Sequence, residues 1–528
     1  MRSPEQEVER FLKSWLKDTE FAGKAYAVGG YVRDEVMGNM SKDLDIVVEI
    51  DGGAKKITHA LFDLFKSDDD KDNGITHPLE MGESYPIWQI SFKKDIAYKG
   101  EQYITSGAVI EFVDTMKESY PDPTSRQRKV EFATLEEDIE RRDFTINMGL
   151  KDLTTGEYKY LKDKNGKKLD FVKDIKDGVL KGHPNNDTMD KTFSADPLRL
   201  MRLVRFYAKY DFKVPEDVKE SIKRVADRIN IVSGERVRDE LIKILQINKK
   251  DEQSGKVKGE TAKALKFMKE VGLLKHVLPE IEELEKTEQS APHHLEGDVF
   301  KHTLMVLEEA PATLYGQLSA LLHDVGKPST QTKDGDKIKF LKHEEVGGEI
   351  AEAILRRLKF KSDDIKKIRV MVEQHMRPFQ ISDAKPGNVK KKLRQFVDVV
   401  GEELWEGIFD LAQADGVGKL PSEPGTVADL KKTLKELLHS TPPELKKPVL
   451  DGKQVMDILG IQTGPLIGKV LIFLKDATRD AWDKQNKILS EAEATKLIRD
   501  RFRSEVKALN QGNKEAAAIR VVLSYLGK

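Results

Sequence analysis

The sequence has 528 residues, which is too long for one hydrophobic core and suggests about three to four domains. Hydrophobic residues make up 38% of the chain, charged residues 34%, and cysteine is absent, so disulfide frameworks and thiol chemistry are excluded and a reducing cytoplasm is expected. The net charge of -1 excludes a global electrostatic attraction to nucleic acid. We therefore expect a soluble multidomain protein in which any site for a polyanion is local.

The pattern of the chain changes near residue 190. The N-terminus, MRSPEQEVERFLKSW, is typical of an amphipathic helix rather than a signal sequence, and no apolar run approaches membrane-spanning length. Residues 20–180 mix β-branched and aromatic runs with helical segments, which predicts an α/β or α+β domain. The later part reads as almost wholly helical, with a polar loop at 248–261 and a proline-bearing boundary at 439–452.

The first strand signal ends in a glycine pair that precedes a helix. The run KAYAVGG ends at Gly29 and Gly30, and YVRDEVMG continues as the predicted helix. Glycines at a helix N-terminus bring bare backbone N–H groups towards a bound phosphate. A glycine pair alone indicates only a turn. The prediction of a phosphate site therefore depends on the acidic residues that follow in the sequence.

Two aspartates come about fifteen residues later, in DLDIVVEI. On a strand, Asp43 and Asp45 would point to the same face, where like charges repel and a partly buried carboxylate is costly. An edge strand with both carboxylates in water would relieve this, but a divalent cation bound by oxygen fits better after a phosphate-binding turn. Glu111, in AVIEFVD, could add a third carboxylate from a neighbouring strand.

Several motifs in order resemble one known family. They are GGYVRDEVMG with DLD, RRDFTIN at 141–147, ADPLRLMRLVRF at 195–206 and ERVRDEL at 235–241. Together they resemble the class II tRNA nucleotidyltransferases (CCA-adding enzymes) and the similar bacterial poly(A) polymerases, in the DNA polymerase β superfamily. The resemblance covers about the first 245 residues and implies a polymerase-β-like head with Mg²⁺-dependent nucleotidyl transfer.

The resemblance also implies roles for individual residues. Asp43 and Asp45 would carry the metal ions, with Glu111 as the third catalytic carboxylate. Asp196 and Arg199 would read the base, although this chain has Ala195 where family members usually have glutamate, which leaves base specificity open. Arg199, Arg202 and Arg205 could instead form an ion-paired basic helix face. The nucleotide-binding residues implied in this way are Gly29, Gly30, Arg33, Arg141, Arg142, Asp143, Asn147, Asp196, Arg199, Arg202 and Arg205.

Histidines concentrate in a second region. Six of the eleven fall between His293 and His375. A single helical histidine is usually a hydrogen-bonded core residue, but the adjacent His323 and Asp324 within apolar LSALLHDVGK would be costly to bury without a metal or tight hydrogen bonds. Imidazoles with a carboxylate suit Mn²⁺, Fe²⁺, Ni²⁺ or Zn²⁺ better than Mg²⁺.

This region resembles the HD-domain phosphohydrolases, on the motifs PHHLEGDVFKHTLMVL, ALLHDVGKP, LKHEEVG, VEQHMRP and LAQADG. The resemblance implies a minimal metal set of His302, His323, Asp324 and Asp415, with His343 and His375 at positions that bind a second metal in many HD proteins. It implies hydrolysis of phosphomonoesters or 2',3'-cyclic phosphodiesters.

These observations predict a multidomain α+β protein. Its parts would be a nucleotidyltransferase head (1–180), an all-helical neck for base recognition and RNA binding (181–260), an HD domain (261–440) and a helical RNA-binding tail (441–528). The neck and the tail each carry a surplus of basic residues, although solvated helix faces would look the same.

The predicted function is addition or repair of tRNA 3'-CCA ends from CTP and ATP, together with HD phosphohydrolase activity. Three alternatives stay open. The first is a poly(A) polymerase, the second an A-only or CC-only tRNA enzyme, and the third an HD hydrolase whose head only senses nucleotide or RNA.

Overall fold

The chain divides into two compact units, Met1–Ile368 and Arg369–Lys528. Residues 249–258 of the predicted polar loop, and His293 and His294, lie outside the described residues. The structure is a computed structural model, and it describes residues 2–41, 43–66, 74–82, 86–119, 129–186, 188–248, 259–289, 295–335, 337–422 and 425–511.

The head contains the strands that the sequence predicts, together with short additional ones. A 3₁₀ helix at Thr145–Asn147 comes after the RRD motif. The other elements are α1 (Pro4–Leu16), β1 (Ala25–Val28), α2 (Gly30–Val36), β2 (Leu44–Val48), α3 (Gly53–Phe65), β3 (Leu79–Met81), β4 (Ile87–Ser91), β5 (Ile96–Tyr98), β6 (Glu101–Tyr103), β7 (Val109–Asp114), β8 (Met116–Ser119), β9 (Lys129–Phe132), α4 (Leu135–Glu140), β10 (Leu150–Asp152), β11 (Tyr158–Lys159) and α5 (Phe171–Asp177).

A mixed seven-stranded sheet organises the head, in the order β11-β10-β1-β2-β7-β4-β3. The central pair, β2 and β7, is parallel, whereas β1 and β10 continue the sheet with antiparallel pairing. The inner strands are rich in valine, isoleucine and alanine and are buried, as expected for strands covered on both faces. The predicted α+β class is confirmed.

The structure corrects one detail of the sequence prediction. Strand β2 begins at Leu44, so Asp43 precedes the strand and is exposed, while Asp45 lies within it and is half-buried. Leu44 and Ile46 point into the core, as predicted from alternation. The acidic pair therefore sits at the point where the chain enters the sheet.

Helix α1 shows how local sequence fixes an element. Ser3 caps its N-terminus in a reciprocal capping box with Gln6, and Pro4 occupies the first turn. The residues buried at helical spacing, which anchor the helix against the head, are Val8, Phe11, Leu12 and Trp15.

As far as it is described, the rest of the first unit is helical apart from one hairpin, Gln331–Asp334 with Lys337–Phe340, that the helical prediction missed. A 3₁₀ helix lies at Ala226–Ile231 and another at Glu283–Lys286. The elements are α6 (Asp190–Ala195), α7 (Leu198–Tyr210), α8 (Glu216–Val225), α9 (Gly234–Leu245), α10 (Glu260–Glu270), α11 (Leu274–Val277), α12 (Pro279–Glu282), α13 (Val299–Glu309), α14 (Leu314–Leu322), α15 (Lys327–Thr330), β12 (Gln331–Asp334), β13 (Lys337–Phe340), α16 (His343–Arg357) and α17 (Ser362–Gln374), within which the boundary between the units falls.

The second unit is helical throughout its described residues. A buried apolar cluster that includes Leu450, Val470 and Ile498 forms its C-terminal core. Within the described residues, no helix is long and apolar enough to cross a membrane. The elements are α18 (Arg377–Ser382), α19 (Val389–Val400), α20 (Trp405–Val417), α21 (Thr426–Ser440), α22 (Gly452–Leu459), α23 (Pro465–Gln485) and α24 (Glu491–Arg501), with 3₁₀ helices at Pro386–Asn388 and Pro443–Lys446.

Gly149 allows α2 to pack closely behind the predicted phosphate-binding turn. A Cβ atom there would lie 2.6 Å from Val32 Cγ1 and 2.9 Å from Phe171 Cε2. We expect Gly149→Ala to destabilise the head by about 1–3 kcal/mol, because the overlap forces α2 outwards. Urea unfolding measures this loss, and Gly74→Ala is the matched control, since its Cβ would meet Ile96 Cγ2 at an ordinary 3.8 Å. Equal stability of the two variants would contradict the close packing.

Candidate active sites

A cleft of about 650 Å³ in the head brings together every residue predicted for the nucleotidyltransferase site. It opens where β1 turns into α2 and is bounded by the ends of β2 and β7, by the segment after α4 and by α7. The sequence-predicted residues lining it are Gly29, Gly30, Arg33, Asp43, Asp45, Glu111, Arg141, Arg142, Asp143, Asn147, Asp196, Arg199, Arg202 and Arg205.

The acidic part of the cleft is built by the parallel pairing of β2 and β7. Asp45 is in register with Glu111, whose Oε1 accepts a hydrogen bond from Gln89 Nε2 at 3.2 Å. Burial, together with the negative charges of Glu111 and Asp43, raises the pKa of Asp45 to about 6 against the opposing effect of Arg142. Carboxylates gathered without a full counter-charge fit a divalent cation bound through oxygen.

Gly29 meets a conformational requirement at the turn from β1 into α2. Its φ of +66° lies in the region that favours glycine. A Cβ atom there would lie 3.6 Å from Arg142 Nη1 and 3.9 Å from Asp45 Oδ2, so a larger side chain would project between the basic and acidic groups of the cleft. The glycine keeps this space open.

Arg33 is held in place before any ligand binds. Its guanidinium is packed against the rings of Phe206 and Tyr210, at 5.4 and 4.9 Å from their centroids, and Nη1 donates to Asn147 Oδ1 at 2.7 Å. The guanidinium also forms an ion pair with Asp34, at 2.8 Å.

A buried aspartate that the sequence analysis missed orients the two arginines of the RRD motif. Asp138 Oδ1 accepts from Arg141 Nη2 at 2.6 Å, and Oδ2 accepts from Arg142 Nη2 at 3.1 Å. Burial alone would raise the pKa of Asp138, but Arg142 and Arg141 hold it below its ordinary value. The i−3 and i−4 spacing on α4 was the available signal.

Asp143 links the RRD motif to α7. Arg202 Nη2 lies 2.7 Å from Asp143 Oδ2, and Asn147 Nδ2 donates to Asp143 Oδ1 at 3.0 Å. Although burial opposes ionisation, Arg202 and Asn147 lower the pKa of Asp143 to about 2. The carboxylate is therefore charged at neutral pH.

The residues predicted to read the base have protein partners. Asp196 Oδ2 accepts from Arg236 Nη2 at 2.8 Å, and Arg236 belongs to the ERVRDEL motif but was not singled out. Arg199 donates to the carbonyls of Thr192 and Arg141 at 3.0 and 2.6 Å. The α7 arginines thus both line the cleft and take part in polar pairs, as Arg205 does with Glu240 at 2.8 Å.

A second buried cluster forms from α13, the end of α14 and the start of α16. His302, His323 and Asp324 are all buried, and their ligand-type atoms lie within 4.8 Å of one another. The Nε2 atoms of His302 and His323 are 3.3 Å apart, and His343 Nε2 lies 3.4 Å from Asp324 Oδ1. Three imidazoles around one carboxylate fit a divalent transition metal.

The pKa of Asp324 is held low by its neighbours. Burial opposes ionisation, yet His323 and Lys327 hold the pKa of Asp324 well below its ordinary value. Lys327 Nζ lies 2.6 Å from Asp324 Oδ2 and was not predicted, although the HDVGK motif contains it.

The other two predicted metal ligands belong to the second unit. There His375 is buried with its Nδ1 2.7 Å from the carbonyl of Val372, and Asp415 is half-buried on α20. Their role as metal ligands stays a prediction.

Models of three protein families match the chain. The poly(A) polymerase head domain covers residues 25–181, the probable RNA- and SrmB-binding site of polymerase A covers 211–251, and the HD domain covers 299–403. The matches therefore coincide with the cleft of the head, the helices after α7 and the histidine cluster.

The chain spans most of the length of the curated relatives it matches. An A-adding tRNA nucleotidyltransferase of Deinococcus radiodurans is 32% identical, over 65% of this chain and 75% of the relative. A CC-adding enzyme of Thermus thermophilus is 30% identical, over 65% and 73%, and a multifunctional CCA protein of Acinetobacter baumannii is 26% identical, over 76% and 85%. The solved CCA-adding enzyme of Bacillus stearothermophilus with CTP shares the fold, with a TM-score of 0.57, 19% identity and coverage of 96% and 100%.

The raised pKa of Asp45 predicts that Mg²⁺ binding in the head weakens as the pH falls through about 6. A cation binds the deprotonated carboxylate, so proton competition at this group makes affinity about tenfold lower at pH 5 than at pH 7. Titration calorimetry at both pH values measures this change. The Asp43→Ala/Asp45→Ala variant is the reference for binding elsewhere, and a head affinity independent of pH would contradict the prediction.

Proposed function

Because the chain belongs to the class II tRNA nucleotidyltransferase and bacterial poly(A) polymerase family, we propose that it adds or repairs the 3'-CCA end of tRNA with CTP and ATP. One observation carries the proposal. Three carboxylates, a glycine turn at a helix N-terminus and a set of fixed guanidinium groups line a single cleft. Nucleotidyl transfer needs these groups together.

In this proposal the carboxylates bind the metal ions, and the glycine turn with Arg33 binds the triphosphate. Asp43, Asp45 and Glu111 would hold Mg²⁺, which when bound stabilises negative charge on the attacking and leaving oxygens. The N–H groups of the Gly29–Gly30 turn, with Arg33, would hold the triphosphate in line with the RNA 3' hydroxyl.

Residues beyond the carboxylates orient the nucleotide. Arg141 and Arg142 lie fixed on Asp138 and would contact the phosphates, while ionised Asp143 can accept a hydrogen bond from the ribose. For the base, an aspartate acceptor at 196 and an arginine fork at 199 match the mixed donor and acceptor edges of cytosine and adenine.

The RNA-binding part of the proposal uses the helices beyond the head. The family match at 211–251 and the basic surplus of the neck support backbone binding there. The turn between α22 and α23 in the tail is proposed to support the tRNA elbow region. Cytoplasmic location agrees with the absence of cysteine and with tRNA as substrate.

The direct test uses tRNA transcripts that end before CCA, after C and after CC. Purified protein, Mg²⁺ and labelled CTP or ATP are incubated with each, and the products are resolved at single-nucleotide length. We expect ordered addition that stops at CCA. Addition limited to CC or to the final A would identify a partial-end enzyme, long A tails a poly(A) polymerase, and no extension a head that only senses its ligand.

The catalytic carboxylates make a sharper prediction. We expect Asp43→Ala/Asp45→Ala to lower the rate of nucleotide addition at least about 1000-fold, equivalent to about 4 kcal/mol of lost transition-state stabilisation. Single-turnover extension of the tRNA ending in CC measures it. Asp63→Ala, at an exposed position on α3, is the matched control and should be unaffected. Extension that survives the double change would remove these aspartates from the site.

A second activity is proposed for the histidine cluster. His302, His323 and Asp324, with His343, would hold Mn²⁺, Fe²⁺ or Ni²⁺, which when bound acts as a Lewis acid towards a phosphate ester. His375 and Asp415 are proposed to complete the ligand sets. Phosphomonoesters and 2',3'-cyclic phosphodiesters, such as those at damaged RNA ends, are the proposed substrates.

The isosteric change Asp324→Asn separates the two activities. It removes the charged ligand while keeping the side-chain shape, so we expect hydrolysis of p-nitrophenyl phosphate and 2',3'-cyclic AMP to fall at least about 100-fold. Nucleotide addition to tRNA, in the same preparation, serves as the control for folding. Hydrolysis at the original rate would exclude Asp324 as a ligand.

A further inference from the structure

We propose that Glu296 and Gln289 are positioning residues for the metal ligand His302, in an inference that rests on the proposed function of the histidine cluster. The sequence analysis assigned no role to either residue. Glu296 lies three residues before the helix that carries His302, and Gln289 lies on the preceding segment.

His302 is held differently from the neighbouring histidines of the cluster. The Nδ1 atoms of His323 and His343 lie 2.8 and 2.9 Å from the backbone carbonyls of Ala320 and Phe340. His302 Nδ1 instead lies 3.3 Å from the carboxylate Oε1 of Glu296, and both side chains are almost fully buried. The neighbour of this nitrogen is therefore a buried carboxylate, whereas the carboxylate near His343 Nδ1, that of Glu344, lies farther away at 3.5 Å.

A chain of polar contacts connects that carboxylate to the charged ligand of the cluster. Gln289 Nε2 donates to Glu296 Oε1 at 3.5 Å, and Gln289 Oε1 accepts from Lys327 Nζ at 2.7 Å. Lys327 in turn lies 2.6 Å from Asp324 Oδ2. The network thus joins His302 to Asp324 through groups that are not themselves ligands.

The backbone that follows Glu296 is held by hydrogen bonds. Gly297, with φ of +100°, accepts at its carbonyl from Gln289 N at 3.0 Å, and Val299 N donates to Thr287 O at 3.1 Å. These bonds close the two segments on each other beside an isolated antiparallel bridge between residues 288 and 298. The residues that link Glu296 to the helix of His302 are therefore held against the segment that carries Gln289.

The chemistry of this arrangement favours one tautomer. A carboxylate beside Nδ1 favours the proton on that nitrogen and leaves the Nε2 lone pair free. The Nε2 atom is the one directed at His323 and at Asp324 Oδ2, at 3.3 and 3.6 Å. A carboxylate partner also makes the imidazole a stronger ligand, and loss of such a partner typically lowers metal affinity by about 10–100-fold.

The test compares Glu296→Gln with Glu288→Gln in the full-length, chelator-treated protein. Both changes remove one carboxylate charge, but the Glu288 side chain is 74% exposed, whereas that of Glu296 is 2% exposed. Mn²⁺ is titrated by calorimetry, and nucleotide addition to tRNA reports that each variant is folded. We expect Glu296→Gln to bind Mn²⁺ about 10–100-fold more weakly and Glu288→Gln to match the unaltered protein.

A second variant keeps the result independent of local misfolding. Gln289→Glu preserves size, and its negative charge beside Glu296 and Lys327 tests the network without touching His302. We expect it to change Mn²⁺ affinity by a smaller factor than Glu296→Gln. Equal affinity of Glu296→Gln and the unaltered protein would overturn the inference alone. Absence of Mn²⁺ binding to the Asp324 site of the unaltered protein would overturn both this inference and the proposed hydrolase.

Discussion

The parallel pairing of β2 with β7 is the constraint around which the head is organised. It sets Asp45 opposite Glu111, with Asp43 at the entrance of the strand, so three carboxylates share one corner of the cleft. Like charges this close are unfavourable, and burial together with the charges of Glu111 and Asp43 raises the pKa of Asp45. Arg142 relieves only part of it, which leaves the corner suited to a cation.

The arginines of the cleft are paired mainly with buried aspartates outside the group of three carboxylates, so they do not neutralise that group. Asp138 forms ion pairs with Arg141 and Arg142, and Asp143 forms one with Arg202. These buried carboxylates hold the guanidinium groups in place. Long arginine side chains lose little further conformational entropy on ligand binding when they are already fixed. The cleft therefore offers ordered cationic groups to a triphosphate, next to three carboxylates that lack a full counter-charge.

The sequence named the residues that line this cleft, but it did not reveal the contacts that hold them in position. The β-branched runs predicted the strands of the head, because short-range pattern encodes them, whereas the resemblance of the ordered motifs to a known family named the residues that line the cleft. The roles of those residues stay predictions. The sequence analysis did not identify Asp138, Arg236 and Glu296, because their roles depend on contacts that form only in the folded chain. The start of β2 after Asp43 and the hairpin at 331–340 were missed for a related reason, since strand pairing decides such elements more than local propensity.

The two metal-type sites differ in how they carry negative charge before a metal arrives. In the head, Asp45 lacks a sufficient cation and holds a proton up to a pH of about 6. At the histidine cluster, burial opposes ionisation of Asp324, but His323 and Lys327, whose Nζ lies 2.6 Å from Asp324 Oδ2, hold its pKa well below the ordinary value. Oxygen ligands with incomplete compensation favour a hard cation that arrives with the nucleotide, whereas fixed imidazoles around a permanent carboxylate favour a resident transition metal. Under the proposed function, this difference in donor type and charge balance would keep the two metal-dependent chemistries of one chain apart.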